Sequence, residues 1–110
     1  MPKTLIPTLR ERNRYMTFEV KSQRPLERKE VVNAVWSSLT RTHGEIGASK
    51  TSLWVMDWNP EKRRGVLKIN HDSKEMIRSA LAVIKDVNKT PARFQVLHTS
   101  GTLKKAREFM

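Results

Sequence analysis

In the stretch "TLRERNRYMTFEV" (residues 8–20) three arginines stand at alternate positions: Arg10, Arg12 and Arg14. Residues two apart share a face of an extended segment, so the three guanidinium groups would form a row, with Tyr15 beside it. Phosphates recur at short, regular intervals along a nucleic-acid strand, and arginine offers them bidentate donors. The chemistry on offer is capture of a polyanion; a solvated basic tail is the plain alternative, and the charge pattern by itself leaves both open. Two more basic clusters follow. "KRR" (62–64) contributes Arg63 and Arg64 with Lys68 just beyond, and "KKAR" (104–107) contributes Lys104 and Lys105. Such groups suit backbone contacts, which give affinity without base specificity. In "SGTLKK", Ser100, Gly101 and Thr102 lead into a helix start followed by two lysines. Those letters describe a phosphate grip at a positive dipole end or an ordinary Ser/Thr cap.

Residues for catalysis are missing from the pattern. His43, His71 and His98 are widely separated, without i,i+4 or carboxylate-paired spacing, and the acidic residues show no paired-carboxylate signature for two-metal nuclease chemistry. "GEIGASKT" (44–51) lacks the Gly-Lys adjacency of a phosphate-binding loop and follows a helix instead of a strand. No Ser or Thr has an evident base beside it. We therefore expect no catalytic residue, bound metal or cofactor in the chain itself.

Composition points the same way as the basic clusters. The 110 residues carry 22 Lys and Arg against 11 Asp and Glu, a net charge of +11. An excess of that size repels itself in the compact state and is expected to meet a polyanion. No apolar run approaches the length of about 18 residues that spans a membrane, and no basic amphipathic helix is evident for docking on one. The absence of cysteine fits a cytoplasmic protein.

The elements that must position these residues follow from periodicity. Residues 1–13 read as a basic extended arm and 14–110 as a single RNA-binding domain. The alternation Met16, Phe18, Val20 against Thr17, Glu19, Lys21 predicts a half-buried strand that leaves the sheet near Tyr15. Pro25 marks the opening of a helix with Val32, Val35, Trp36 and Leu39 at helical spacing, stopped by Gly44, and 44–50 read as a loop. "TSLWVMDW" and "VLKINH" are strands joined through "NPEKRRG". Asp72 and Glu75 resemble a capping box ahead of a helix with Ile77, Ala80, Leu81 and Ile84 on one face. Pro91 ends the next connection, "RFQVLHT" (93–99) is the last strand, and Leu103, Ala106 and Met110 share a side of a short terminal helix. The order is βαββαβ, which predicts a ferredoxin-like α+β sandwich: a four-stranded antiparallel sheet with two helices on one face, plus the C-terminal helix.

Strict alternation puts Trp54, Met56 and Trp58 on one face of the second strand and Leu53 and Val55 on the other. With Leu67 and Ile69 standing where a stacking platform needs Phe or Tyr, base stacking by this sheet is disfavoured. The patch Trp54, Met56, Trp58 and Leu103 is instead expected at a protein interface, under the tail helix or a second protein.

Taken together, "LIPTLRERNRYMTFEV", "AVWSSLTRTHGEIGAS" and "SGTLKK" resemble the ribonuclease P protein component 2 family, the small protein subunit of archaeal ribonuclease P, from about Leu5 to Lys105. The resemblance implies a subunit of the ribonucleoprotein that removes the 5′ leader from precursor tRNA. It implies that the RNA is the catalyst and uses magnesium, and that the chain works with ribonuclease P protein component 3 and self-associates within the assembly. It carries Arg10, Arg12, Arg14 and Tyr15 onto the family's basic opening and Ser100, Gly101, Thr102 and Lys104 onto its closing motif. A general RNA-binding or ribosomal protein on the same fold is the alternative.

Overall fold

The computed structural model describes residues 12–110. The elements are β1 (Asn13–Ser22), α1 (Arg28–Ser49), β2 (Trp54–Asn59), β3 (Arg64–Asn70), α2 (Lys74–Ala82), β4 (Asp86–Val87), β5 (Thr90–Ser100) and α3 (Leu103–Arg107). The strands form one antiparallel sheet in the order β2-β3-β1-β5-β4. The expectation of four strands is corrected to five. The extra strand, β4, hairpins onto β5 through Asn88 and Lys89, both at positive φ (49° and 68°), as a two-residue primed turn requires. Pro91 is the second residue of β5 instead of ending a connection, and stands opposite Asp86 in this edge hairpin, where a missing ladder N–H is tolerated.

The alternation in β1 holds. Met16, Phe18 and Val20 are buried in a core shared with Val31, Val35 and Leu39 of α1 and Ile77, Ala80 and Leu81 of α2. The two helices also join directly, the buried Ser38 hydroxyl donating to the Ala80 carbonyl at 2.6 Å. Phe18 is stacked between Trp58 and Phe94, with centroid separations of 5.7 and 5.9 Å. Gly65 pairs with both Phe18 and Trp58 in the ladder. A Cβ at Gly65 would stand 2.5 Å from the Asp57 carbonyl oxygen and 2.9 Å from the Phe18 ring, so the close aromatic packing depends on glycine there.

α1 departs from the expected boundaries at both ends. Two residues, Leu26 and Glu27, separate Pro25 from the first helical residue Arg28, and the capping box is formed by Glu27 and Glu30. Gly44 does break the helix (φ 76°, ψ 166°), a conformation essentially reserved for glycine, but the chain then resumes helical geometry to Ser49 in place of the expected loop. The capping box expected at Asp72 and Glu75 is absent: a 3-10 turn, His71–Ser73, precedes α2, whose N-cap is Ser73.

Glu30 does more than cap. Its carboxylate takes two bonds from the Arg24 guanidinium (3.0 and 2.6 Å), one from the Glu27 N–H and one from the Asn88 amide at 2.8 Å, tying α1 to the β4–β5 turn. The Arg24 bond, then the Glu27 N–H, then Asn88 hold its pKa at about 2 against an ordinary 4.5. A depressed carboxylate stabilises the fold above its unfolded pKa and loses that contribution as pH falls through its folded one. The stability advantage of wild type over Glu30→Gln should therefore be full at pH 7 and shrink between pH 4.5 and about 2. Thermal melts of both proteins across that window check it; a gap independent of pH would refute the assignment.

Candidate nucleic-acid interface

α1 and α2 cover one face of the sheet, and α3 lies across part of the other. On that second face the Thr17 hydroxyl donates to the Ala106 carbonyl at 2.7 Å, and Thr17, Val66 and Ala106 are fully buried beneath the short helix. Residues directly opposite in a ladder share a face, so register defines what surrounds this covered spot. Toward one end lie Asn59, Arg64, Glu19 and Gln95, then Lys21 and Arg93. Toward the other end, one transverse row runs Trp54, Lys68, Tyr15, Ser100.

The electrostatics of this face are lopsided. The two carboxylates that the strands contribute to it are both matched by arginines: Glu19 by Arg64 at 3.0 Å and Asp57 by Arg107 at 2.6 Å. The Asp57 bond raises the Arg107 pKa further above its ordinary value. Lys21, Lys68 and Arg93 have no ion-pair partner among the described residues. Lys21 and Arg93 even stand directly opposite each other, both exposed. Like charges in that position repel and are relieved by an anion bridging them.

The basic residues singled out in the sequence fall into three groups. Arg10 lies outside the described residues. Arg12 is exposed just ahead of β1, its carbonyl accepting the His71 N–H at 2.8 Å. Arg14 is already inside the strand opposite Ile69, half-buried and donating to the Asn13 carbonyl; the chain thus joins the sheet at Asn13, two residues before the expected departure point at Tyr15. Ladder bonds to Asn13 and beyond hold Arg14 on the same face as Met16, at the margin of the helix-covered layer.

The hairpin arginines are occupied. Arg63 takes a left-handed conformation (φ 57°), donates to the Ser22 carbonyl, and accepts the Val20 N–H through its own carbonyl. Arg64, besides pairing with Glu19, donates to the Phe109 carbonyl at 3.1 Å and so holds the end of the chain over the sheet. Lys62 at the tip stays exposed. At the closing motif the Ser100 hydroxyl bonds to the Thr102 backbone, and Thr102 caps α3 by accepting the Lys105 N–H at 3.2 Å, while the Lys104 and Lys105 side chains are exposed.

The face assignment of the second strand needs correction. β2 carries a bulge: Val55 pairs with Leu67 but Asp57 with Val66, leaving Met56 as the extra residue. Val55 and Trp58 consequently both face the core, and the Trp58 N–H donates to the Leu26 carbonyl at 2.7 Å. Trp54 stands alone on the opposite face, 64% exposed. Met56 and Leu103 are half-buried. Leu67 and Ile69 are core residues, so they say nothing about stacking on the open face. Lys21 and Arg93, which the register brings opposite each other, and the stack of His98 on Phe109 (3.9 Å between centroids), which the fold-back of the chain after α3 creates, were not singled out by sequence. Among the described residues no three His, Cys, Asp or Glu side chains converge as metal ligands, and no helix is long and apolar enough to cross a membrane.

Comparison with known proteins places this architecture. The sequence profile of the Rpp14/Pop5 family matches residues 14–110. Ribonuclease P protein component 2 of Methanococcus aeolicus is 40% identical over 108 residues, covering 98% of this chain and 78% of the relative. The protein of the same name from Thermococcus gammatolerans is 33% identical over 106 residues, covering 96% and 88%. A chain in the cryo-EM structure of yeast ribonuclease MRP shares the fold with a TM-score of 0.70 at 15% identity, over 94% of this chain and 88% of that one.

Proposed function

Because the chain belongs to the Rpp14/Pop5 family, we propose that it is a protein subunit of ribonuclease P that binds and stabilises the catalytic RNA without cutting RNA itself. The observation that carries the RNA-binding part is the open face, where arginines match the strands' two carboxylates and Lys21, Lys68 and Arg93 are left over, in a chain of net charge +11. We read the four long strands as a ferredoxin-like core to which β4 is an addition. The arm from Arg10 to Arg14, with Lys104 and Lys105, contacts phosphates; fixed cations there reduce the repulsion between backbones that a folded ribozyme must crowd together, and so lower its magnesium requirement. The described residues offer no converging ligand set, and we assign the magnesium ions to the RNA. Ribonuclease P protein component 3 is the expected protein partner, precursor tRNA the substrate of the assembly, self-association within it an added feature, and the cytoplasm its place.

Reconstitution tests this reading. Catalytic RNA assayed on precursor tRNA at limiting magnesium should be stimulated when this chain and component 3 are both added. Cleavage by the purified chain without RNA, or no stimulation by the pair, would overturn it.

A further inference from the structure

We propose that the transverse row Trp54–Lys68–Tyr15 is a stacking site for unpaired RNA, which gives this chain a preference for single-stranded over duplex segments. The inference rests on the RNA-binding reading above and assigns the kind of RNA that the open face takes.

Three observations converge on this row. The residues are directly opposite one another across β2, β3 and β1, so an aromatic ring, an ammonium group and a second aromatic ring occupy adjacent strands on one face. Strand spacing of about 4.8 Å sets them side by side in the hydrogen-bonding direction. Trp54 is 64% exposed although it sits in a sheet whose other tryptophan, Trp58, is packed and hydrogen-bonded. Finally, α3 covers the neighbouring row at Thr17 and Val66, and the register leaves Trp54 at the far edge strand.

The chemistry selects the occupant. An indole face accepts any base by stacking, and a lysine beside it meets the intervening phosphate; that pairing of planes and cations is how sequence-tolerant single-strand binders work. A base inside a duplex is already stacked on both sides and cannot lie on Trp54 without unpairing. Lysines and arginines that contact only the backbone make no such distinction. The two carboxylates that the strands place on this face, Glu19 and Asp57, are both taken by arginines, while Lys68 in the row is left without an ion-pair partner among the described residues, which argues for an anionic occupant over a basic peptide.

The test uses the full chain with a ten-nucleotide single strand and a duplex of the same sequence. Trp54 is the most exposed of the three indoles, so the single strand should quench its fluorescence, and Trp54→Phe should remove that signal while keeping most of the affinity. Trp54→Ala should weaken the single strand by about 10- to 100-fold and leave the duplex within about twofold. Lys68→Met should weaken both and reduce the single-strand salt slope by about 0.7. Unchanged melting curves certify that the variants fold. Equal losses on both RNAs, or none on either, overturn the stacking site, and so does a Trp54→Ala variant that loses only its association with component 3. If the wild-type chain ignores structured RNA as well as the single strand at low salt, the RNA-binding reading itself fails, a result distinct from failure of the stacking site alone.

Discussion

Phe18→Ala should lower the unfolding free energy by about 4 kcal/mol and the melting midpoint by about 15–25 °C, the largest stability effect of any single truncation in this chain. Phe18 has no exposed surface and is stacked on both sides, by Trp58 and Phe94. Removing it leaves a cavity at the centre of the sheet and ends two ring contacts, each worth about 0.5–1.5 kcal/mol beyond area burial. Gly65 below cannot fill the space, and the β1 backbone is held by ladders on both sides. A domain of this size has only about 5–15 kcal/mol to lose. Urea unfolding monitored by circular dichroism measures the change; a loss under about 1 kcal/mol would mean that the aromatic stack is not the keystone of the core.

The second large effect is on RNA. Replacing Arg10, Arg12 and Arg14 together by Glu should weaken binding to structured RNA by roughly two orders of magnitude at moderate salt. The plot of log affinity against log salt should flatten by about 2 to 3 units, since each lost phosphate contact removes about 0.7 to 0.9. The slope is the sharper readout, because loss of fold would abolish binding without changing its counterion stoichiometry in this graded way. Arg12 is exposed and Arg14 sits half-buried at the start of β1, so the variant's melting curve should accompany the titration. An unaltered slope would remove the arm from the interface.

Much of this molecule was legible in its letters. Period-two and helical spacing located β1, β3 and the buried faces of both long helices, because burial of one face is a local property of sequence. β4 escaped because its turn is Asn88-Lys89, without the glycine that usually marks a primed turn, and because a two-residue strand leaves no periodic trace. Asp72 and Glu75 satisfy the capping-box spacing as Glu27 and Glu30 do, but Asp72 lies inside a 3-10 turn and the N-cap of the following helix falls on Ser73. The site was harder. Arg63 and Arg64 read as free cations, yet their partners, Ser22, Glu19 and Phe109, are contributed from distant parts of the chain. Sequence spacing reports which residues share a strand face, not which charges are already neutralised across strands.

The extra residue at Met56 has a consequence for comparing relatives of this chain. Because it makes positions 54 and 58 point to opposite sides, an alignment that slides β2 past a counterpart lacking the bulge will equate a core indole with a surface one. A one-residue gap in such an alignment belongs at 56, and moving it to a flanking loop would scramble the apparent history of both tryptophans.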